Sequence, residues 1–272
     1  MQLTIVEALS LGALQGLTEF LPVSSDGHLA LAQLLFDVED GGLPLNVLLH
    51  AGTLLATVIV LRARVRQSLL AGGRGVIRPR QLLGSVAGRD ALVVALATLP
   101  TAVIGLLLRD PVERWTSSPL AVGLGFLLTT IALASTRWAE RGDDEGPTAS
   151  VALLLGVVQG LAVLPGVSRS GLTIAVALWA GVRPARAFEL SMLISLPAIA
   201  GAVLLEVPAL LGAGFDPGRG VVGAATAFAV GLLALWLLRG TVVRGHFPLF
   251  ALWTLPLAVA TLAMARIWPG GG

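Results

Sequence analysis

Six apolar stretches dominate this chain, at 43–61, 90–108, 118–136, 187–205, 220–238 and 247–265. Each approaches the roughly 20 residues that a helix needs to cross about 30 Å of hydrocarbon. Backbone polar groups at that depth must be satisfied within their own segment, so six such stretches predict spanning helices. Composition agrees. The 272 residues are 56% hydrophobic and 12% charged, with mean hydropathy +0.88, too few charges to clothe a soluble domain. There is no cysteine, which excludes a disulfide framework or a thiolate metal site. All the basic residues are arginine, and the pI is near 10.8. They lie in short loops between apolar runs, a placement that points to membrane topology and away from nucleic acid. The N-terminus has no charged n-region or small-residue cleavage site, so it is expected to be retained.

Two further segments, 1–36 and 149–180, each comprise an apolar arm, a Pro/Gly/Ser turn and a second apolar arm. The arms are too short to cross singly, which predicts two helical hairpins that enter and leave by one side. Shifting the first onto the second by 144 residues, without a gap, superposes Gln15 on Gln159, Gly16 on Gly160, Ser24 on Ser168 and Gly27 on Gly171. The same shift brings the stretch around His50 onto that around Ser195. The chain thus reads as one membrane domain, 1–272: repeat 1 over 1–138, an acidic linker over 139–148, and repeat 2 over 149–272. The expected fold is all-α integral membrane, an inverted-topology repeat. Each half holds a re-entrant hairpin and three spans, and three being odd inverts the second half. The two turns are then expected to meet near the midplane.

Arginine placement orients this topology. The segment 62–89 carries Arg62, Arg64, Arg66, Arg74, Arg78, Arg80 and Arg89, and is expected to be a cytoplasmic loop. Counting spans from it places thirteen arginines inside and only four, Arg109, Arg114, Arg219 and Arg266, outside. Asp37, Glu39, Asp40, Asp110, Glu113 and Asp216 accompany those four.

The candidate chemistry lies in the turns. Gln15 and Glu19 are four apart and share a helix face. A carboxylate beside an amide oxygen suits a hard divalent cation, or the carboxylate alone moves a proton; the bland alternative is a polar pair that fixes helix packing. In Pro22-Val-Ser24-Ser25-Asp26-Gly27-His28, Ser25 or Asp26 is expected to cap the second arm, 29–36. The free amides of a helix start, flanked by hydroxyls, also suit an anion. His28 follows Ser25 by three residues, so its imidazole is expected to reach the hydroxyl, as a base activating a nucleophile does. In Pro165-Gly166-Val-Ser168-Arg169-Ser170-Gly171 the arginine sits inside an apolar run and needs an anion. Glu19 or Asp26 would make it a structural ion pair. Phosphate, held with Ser168 and Ser170, would make it a site. His50, Glu189 and His246 are weaker candidates, with helix–helix or interfacial roles, and Trp115, Trp138, Trp253 and Trp268 suit an aromatic belt.

Gln15-Gly-Leu-Thr-Glu-Phe-Leu-Pro-Val-Ser-Ser-Asp-Gly-His28 and Pro165-Gly-Val-Ser-Arg-Ser-Gly171 closely resemble the two signature motifs of the bacterial undecaprenyl-diphosphate phosphatase family, the bacitracin-resistance proteins. The resemblance covers the whole chain. It implies six spans and two re-entrant hairpins, dependence on a divalent cation (Mg2+ or Ca2+), and removal of one phosphate from an isoprenyl diphosphate lipid. It also implies protection against bacitracin, which sequesters that diphosphate. The catalytic residues so implied are Glu19, Ser25, His28 and Arg169. Ser24, Gly27, Gly166, Ser168 and Ser170 would bind phosphate, and Gln15 and Glu19 metal, with Asp26 expected to take over part of the metal role because position 15 lacks a carboxylate. Two positions depart from the pattern: many members carry glutamate where Gln15 stands, and threonine or serine where Asp26 stands. The expected partners are the lipid and the bilayer, with a homodimer allowed. The expected location is the bacterial inner membrane, with a cleft opening to the periplasmic side. A carrier for an anionic isoprenyl-phosphate lipid is the competing function, because broken helices at a repeat interface also serve transporters.

Overall fold

Breaks at Pro, Gly and Ser divide the chain into helices of two lengths. In the computed structural model, residues 4–36, 43–78, 80–140, 142–143, 146–208 and 217–267 are described. Asp37, Glu39, Asp40, Arg141, Asp144, Glu145, Asp216 and Trp268 lie outside them. The short helices are α1 (Ile5–Thr18) and α2 (Ser25–Phe36), and later α8 (Ala149–Leu161) and α9 (Arg169–Trp179). The 14 residues of α1 reach only about 21 Å at 1.5 Å per residue, short of a crossing. A capping box starts it: Thr4 Oγ1 accepts the Glu7 N–H, and Glu7 accepts the Thr4 N–H.

The long helices are α3 (Leu43–Val60), α6 (Val86–Thr116), α7 (Pro119–Ser135), α10 (Pro184–Glu206), α11 (Pro217–Val243) and α12 (Ala251–Ile267). They coincide with the six expected stretches. Five spans among the described residues meet the length and apolarity of a crossing, and α3 with the helix bent from its end gives a sixth when the pair is taken as one span. The chain is therefore a multi-pass, all-helical membrane protein. The segment 62–89 is not the loop expected. It holds α4 (Arg62–Ile77), bent 84° from α3, and a short α5 (Arg80–Leu83). Arginine, leucine and alanine are strong helix formers, and the run of charges ends the span without ending the helical backbone.

Packing crosses between the two halves. Helix α1 packs on α11, and α8 on α6, while α3 lies against both α10 and α11, and α7 against α12. Glycines let these backbones approach: a Cβ at Gly12 would stand 2.4 Å from the Gly223 carbonyl, and one at Gly156 2.2 Å from that of Ala97. Phe20, in the first turn, is buried in the central core with Phe188, Met192, Leu235 and Phe247. Leu99, Val103, Leu106 and Leu107 of α6 and Trp236 of α11 stay exposed, the apolar rim that hydrocarbon covers.

At the N-terminal ends of α4, α6 and α10, a buried charge cluster joins the halves. Arg186 pairs with Asp90 and, at 3.0 Å, with Glu189; Arg64 reaches Glu189 at 3.2 Å and Asp90 at 3.8 Å. Glu189 belongs to this cluster.

Candidate active site

Helix α1 carries Gln15, and Glu19, its C-cap, follows one turn later; both are buried. The Gln15 amide donates from Nε2 to Glu19 Oε2 at 3.0 Å. The Ser25 hydroxyl donates to the same oxygen at 3.1 Å. From α3, His50 brings Nδ1 to 3.2 Å from Gln15 Nε2 and 3.7 Å from Glu19 Oε2.

Between α1 and α2 the backbone turns through Ser24, whose φ of 66° lies in the left-handed region. That conformation costs a serine about 1–2 kcal/mol. Several bonds hold it: Ser24 Oγ accepts the Gly27 N–H at 3.1 Å, and its carbonyl accepts the His28 N–H at 3.2 Å and Nδ1–H at 2.8 Å. Ser24 thus caps α2, ahead of the Ser25 or Asp26 expected, which frees the Ser25 hydroxyl for Glu19. Asp26 is exposed in the first turn of α2.

His28 does not take the expected place against Ser25. Its Nδ1 is held by the Ser24 carbonyl, and its Nε2 accepts the Trp253 indole N–H at 3.1 Å. A helical side chain leans back over the preceding turn, and there the nearest acceptor is that carbonyl. The Phe126 ring meets the imidazole edge-on at 5.7 Å.

The second turn repeats the cap. Ser168 Oγ accepts the Gly171 N–H at 3.1 Å, as Ser24 does for Gly27. Ser168 and Ser170, both buried, place their hydroxyls 3.3 Å apart. Thr129 of α7 pins this turn from both sides: its Oγ1 accepts the Ser168 N–H and donates to the Gly166 carbonyl, each at 2.9 Å. Arg169 opens α9 and donates through Nη2 to Glu19 Oε1, while its Nη1 is buried without a protein partner.

The two turns touch. A Cβ on Gly27 would lie 2.8 Å from Gly166 Cα and 2.7 Å from Phe126 Cζ, so only glycine lets them meet. The structure therefore gathers Gln15, Glu19, Ser25, His50 and Arg169 into one buried cluster, framed by Ser24, Gly27, Gly166, Ser168 and Ser170. Arg169 pairs with Glu19, the ion pair weighed above, yet one arm of its guanidinium remains unsatisfied. A buried donor in that state costs about 1–3 kcal/mol or more, and an anionic ligand would satisfy it. Among the described residues there is no group of three or more His, Cys, Asp or Glu side chains fit for a metal. Gln15 Oε1 is nonetheless a buried oxygen without a partner beside the Glu19 carboxylate, a donor set that fits a hard cation.

Three residues of this arrangement escape a reading by spacing alone. Thr129 sits in an apolar span with only its hydroxyl to mark it. Trp253, which suits the aromatic belt by position, also anchors His28. His50 has the place assigned above to a helix–helix bond, but its partner Gln15 belongs to the site.

Fold and cluster together define a class: a polytopic helical membrane protein whose polar site forms where two non-spanning hairpins meet. The chain belongs to the bacitracin resistance protein BacA family, which it matches over residues 8–260. It is 41% identical over 270 residues to an undecaprenyl-diphosphatase of Desulfosudis oleivorans, covering 94% of this chain and 97% of that protein. It is 40% identical over 262 residues to one of Desulforapulum autotrophicum, covering 91% and 93%. With one of Korarchaeum cryptofilum it shares 35% identity over 262 residues, covering 96% and 99%.

Proposed function

We propose that this chain hydrolyses undecaprenyl diphosphate to undecaprenyl phosphate and inorganic phosphate. The observation that carries the reading is the Ser25 hydroxyl donating at 3.1 Å to a carboxylate, Glu19, that Arg169 of the other hairpin neutralises. A carrier of the same lipid needs anion-binding groups but no hydroxyl poised on a base. The names of the relatives favour hydrolysis as well.

The unpartnered Arg169 Nη1 and the α9 amides bind the diphosphate. Ser25 Oγ attacks the terminal phosphorus and passes its proton to Glu19. The bond to the bridging oxygen breaks, and undecaprenyl phosphate leaves with that oxygen. Glu19 hands the serine proton to the departing phosphate oxygen. Water then attacks the phosphoserine and gives its proton to Glu19. The bond from phosphorus to Ser25 Oγ breaks, Oγ takes that proton back from Glu19, and phosphate departs. Glu19 is the base because both ring nitrogens of His28 are engaged elsewhere; His28 shapes the turn. A hard cation on Gln15 Oε1 and Glu19, with Asp26 nearby in sequence, would neutralise phosphate charge when bound. The lipid tail stays among the apolar helices. On this reading the membrane is the bacterial cytoplasmic membrane, and the arginine bias supports a cleft that opens outward. Consuming the diphosphate removes what bacitracin sequesters, in keeping with the name of the family.

The test is phosphate release from undecaprenyl diphosphate by detergent-purified protein, beside Ser25→Ala and Arg169→Ala. Each variant is expected to lose about 100-fold or more. A folded wild type that binds the lipid but releases no phosphate with any divalent cation would overturn the phosphatase in favour of the carrier.

A further inference from the structure

His50 stands opposite Gln15 in a way that fixes the amide. Nε2 of Gln15 has two hydrogens, and two acceptors face it: Glu19 Oε2 at 3.0 Å and His50 Nδ1 at 3.2 Å. The reversed amide would set an oxygen against a carboxylate, so the observed orientation is the bonded one. It requires His50 to present a lone pair on Nδ1 and carry its proton on Nε2. Gln15 Oε1 is then bonded to neither group, and it is buried and without a partner.

The second repeat supplies an internal comparison. Gln159, equivalent to Gln15, donates from Nε2 to the Ile194 carbonyl at 3.0 Å and to Thr101 Oγ1 at 3.2 Å. Ile194 is the 144-residue equivalent of His50. A backbone carbonyl at that station is enough to lock the two helices together. In the first repeat an imidazole does this instead, and the locked amide lies against Glu19. Gln159 Oε1 is likewise buried without a partner, so what sets the first repeat apart is the imidazole and the Glu19 carboxylate against the amide.

We propose that His50 is a positioning residue of the hydrolytic site. By accepting from Gln15 it holds Nε2 on the Glu19 carboxylate and aims Oε1, as a bare acceptor, at an electropositive partner. That partner is either a hard divalent cation or an O–H of the attacking water. The inference rests on the phosphatase reading above.

Steady-state phosphate release by detergent-purified full-length protein tests it, with His50→Ala, His50→Asn and His50→Gln. Asparagine sets an oxygen near the station of Nδ1, whereas glutamine extends to that of Nε2. Loss of the acceptor is expected to lower kcat about 10- to 100-fold in the Ala and Gln variants, with KM little changed. The Asn variant is expected to stay within about threefold of wild type, on the same estimate of what one supporting bond carries. Should His50→Ala fail to fold, the Asn and Gln pair still decides. Nitrogen chemical shifts of labelled histidine provide a second readout: His50 is expected as the Nε2–H tautomer, lost in Gln15→Ala. Mn2+ binding to the lipid-free protein tells the two partners apart. Weaker binding in His50→Gln identifies a cation, and unchanged binding with lowered kcat identifies water. Equal kcat in wild type, Asn and Gln proteins would overturn the proposal. A wild type without any phosphate release fails the phosphatase reading instead.

Discussion

At the scale of single residues, the first turn is held by a serine in a conformation that suits glycine. Ser24 offsets the cost of its positive φ with the cap it gives Gly27. Ser24→Ala keeps the strain and loses the cap, and is expected to destabilise by about 1–2 kcal/mol; Ser24→Gly relieves the strain and is expected to cost only a few tenths. Thermal unfolding in detergent should rank the proteins wild type, Gly, Ala; an Ala variant as stable as Gly would show that the cap carries nothing. Glu19 is the more exacting position. Glu19→Gln preserves shape but leaves Arg169 buried without its counter-charge, a change worth about 3–5 kcal/mol where such pairs are fully buried. Phosphate release is expected to vanish, and the Glu19→Gln/Arg169→Met pair should regain stability without regaining activity.

Among the elements, the decisive event is the meeting of two turns that come from different halves of the chain. Gly27→Ala would drive a methyl into both Phe126 and the Gly166 backbone. Trimming the ring in Gly27→Ala/Phe126→Ala is therefore expected not to restore phosphate release, because the backbone contact remains. Restored release in the double variant would mean that the aromatic ring, and not the meeting of the turns, was the obstacle. Thr129→Val removes both bonds that pin the second turn and is expected to cost about 1–3 kcal/mol, with a fall in kcat.

This is also where a reading of the sequence reaches its limit. The helical spacing of Gln15 and Glu19, the breaks at Pro22 and Pro165, and the ungapped 144-residue shift were legible, because each is a relation along the chain. Spans were legible because hydrocarbon demands uniform apolarity over about 20 residues. The partners of His28 and Thr129 were not. Trp253 is 225 residues from His28, and Ser168 is 39 from Thr129, distances that only the packed helices bridge. The helix over 62–77 was missed for a different reason: its arginines mark the side of the membrane and do not reveal the backbone.

Considered whole, the molecule is two interleaved halves, each lending a hairpin to the helices of the other, so the site exists only if both halves stay in register. Its sidedness is open to direct test because the chain has no cysteine. A single cysteine at Gly73 is expected to resist a membrane-impermeant maleimide in intact cells, and one at Arg266 to react; the reverse pattern would invert the proposed orientation. The charge cluster near the start of α10 also ties the two halves together. Asp90, fully buried on α6, and Arg186, nearly so on α10, bind one half to the other, and Arg64 and Glu189 complete a set of two positive and two negative charges. Burying them is expensive, so removing one partner is worse than removing both. Asp90→Asn is expected to lower stability by about 3–5 kcal/mol, whereas Asp90→Leu/Arg186→Met should recover most of the loss. Unfolding followed by fluorescence-detected size exclusion gives the ranking, and phosphate release per folded molecule gives the second reading. If the cluster only ties the halves together, folded Asp90→Asn turns over as wild type does; a lower rate per folded molecule would mean that the tie also sets how closely the two turns meet.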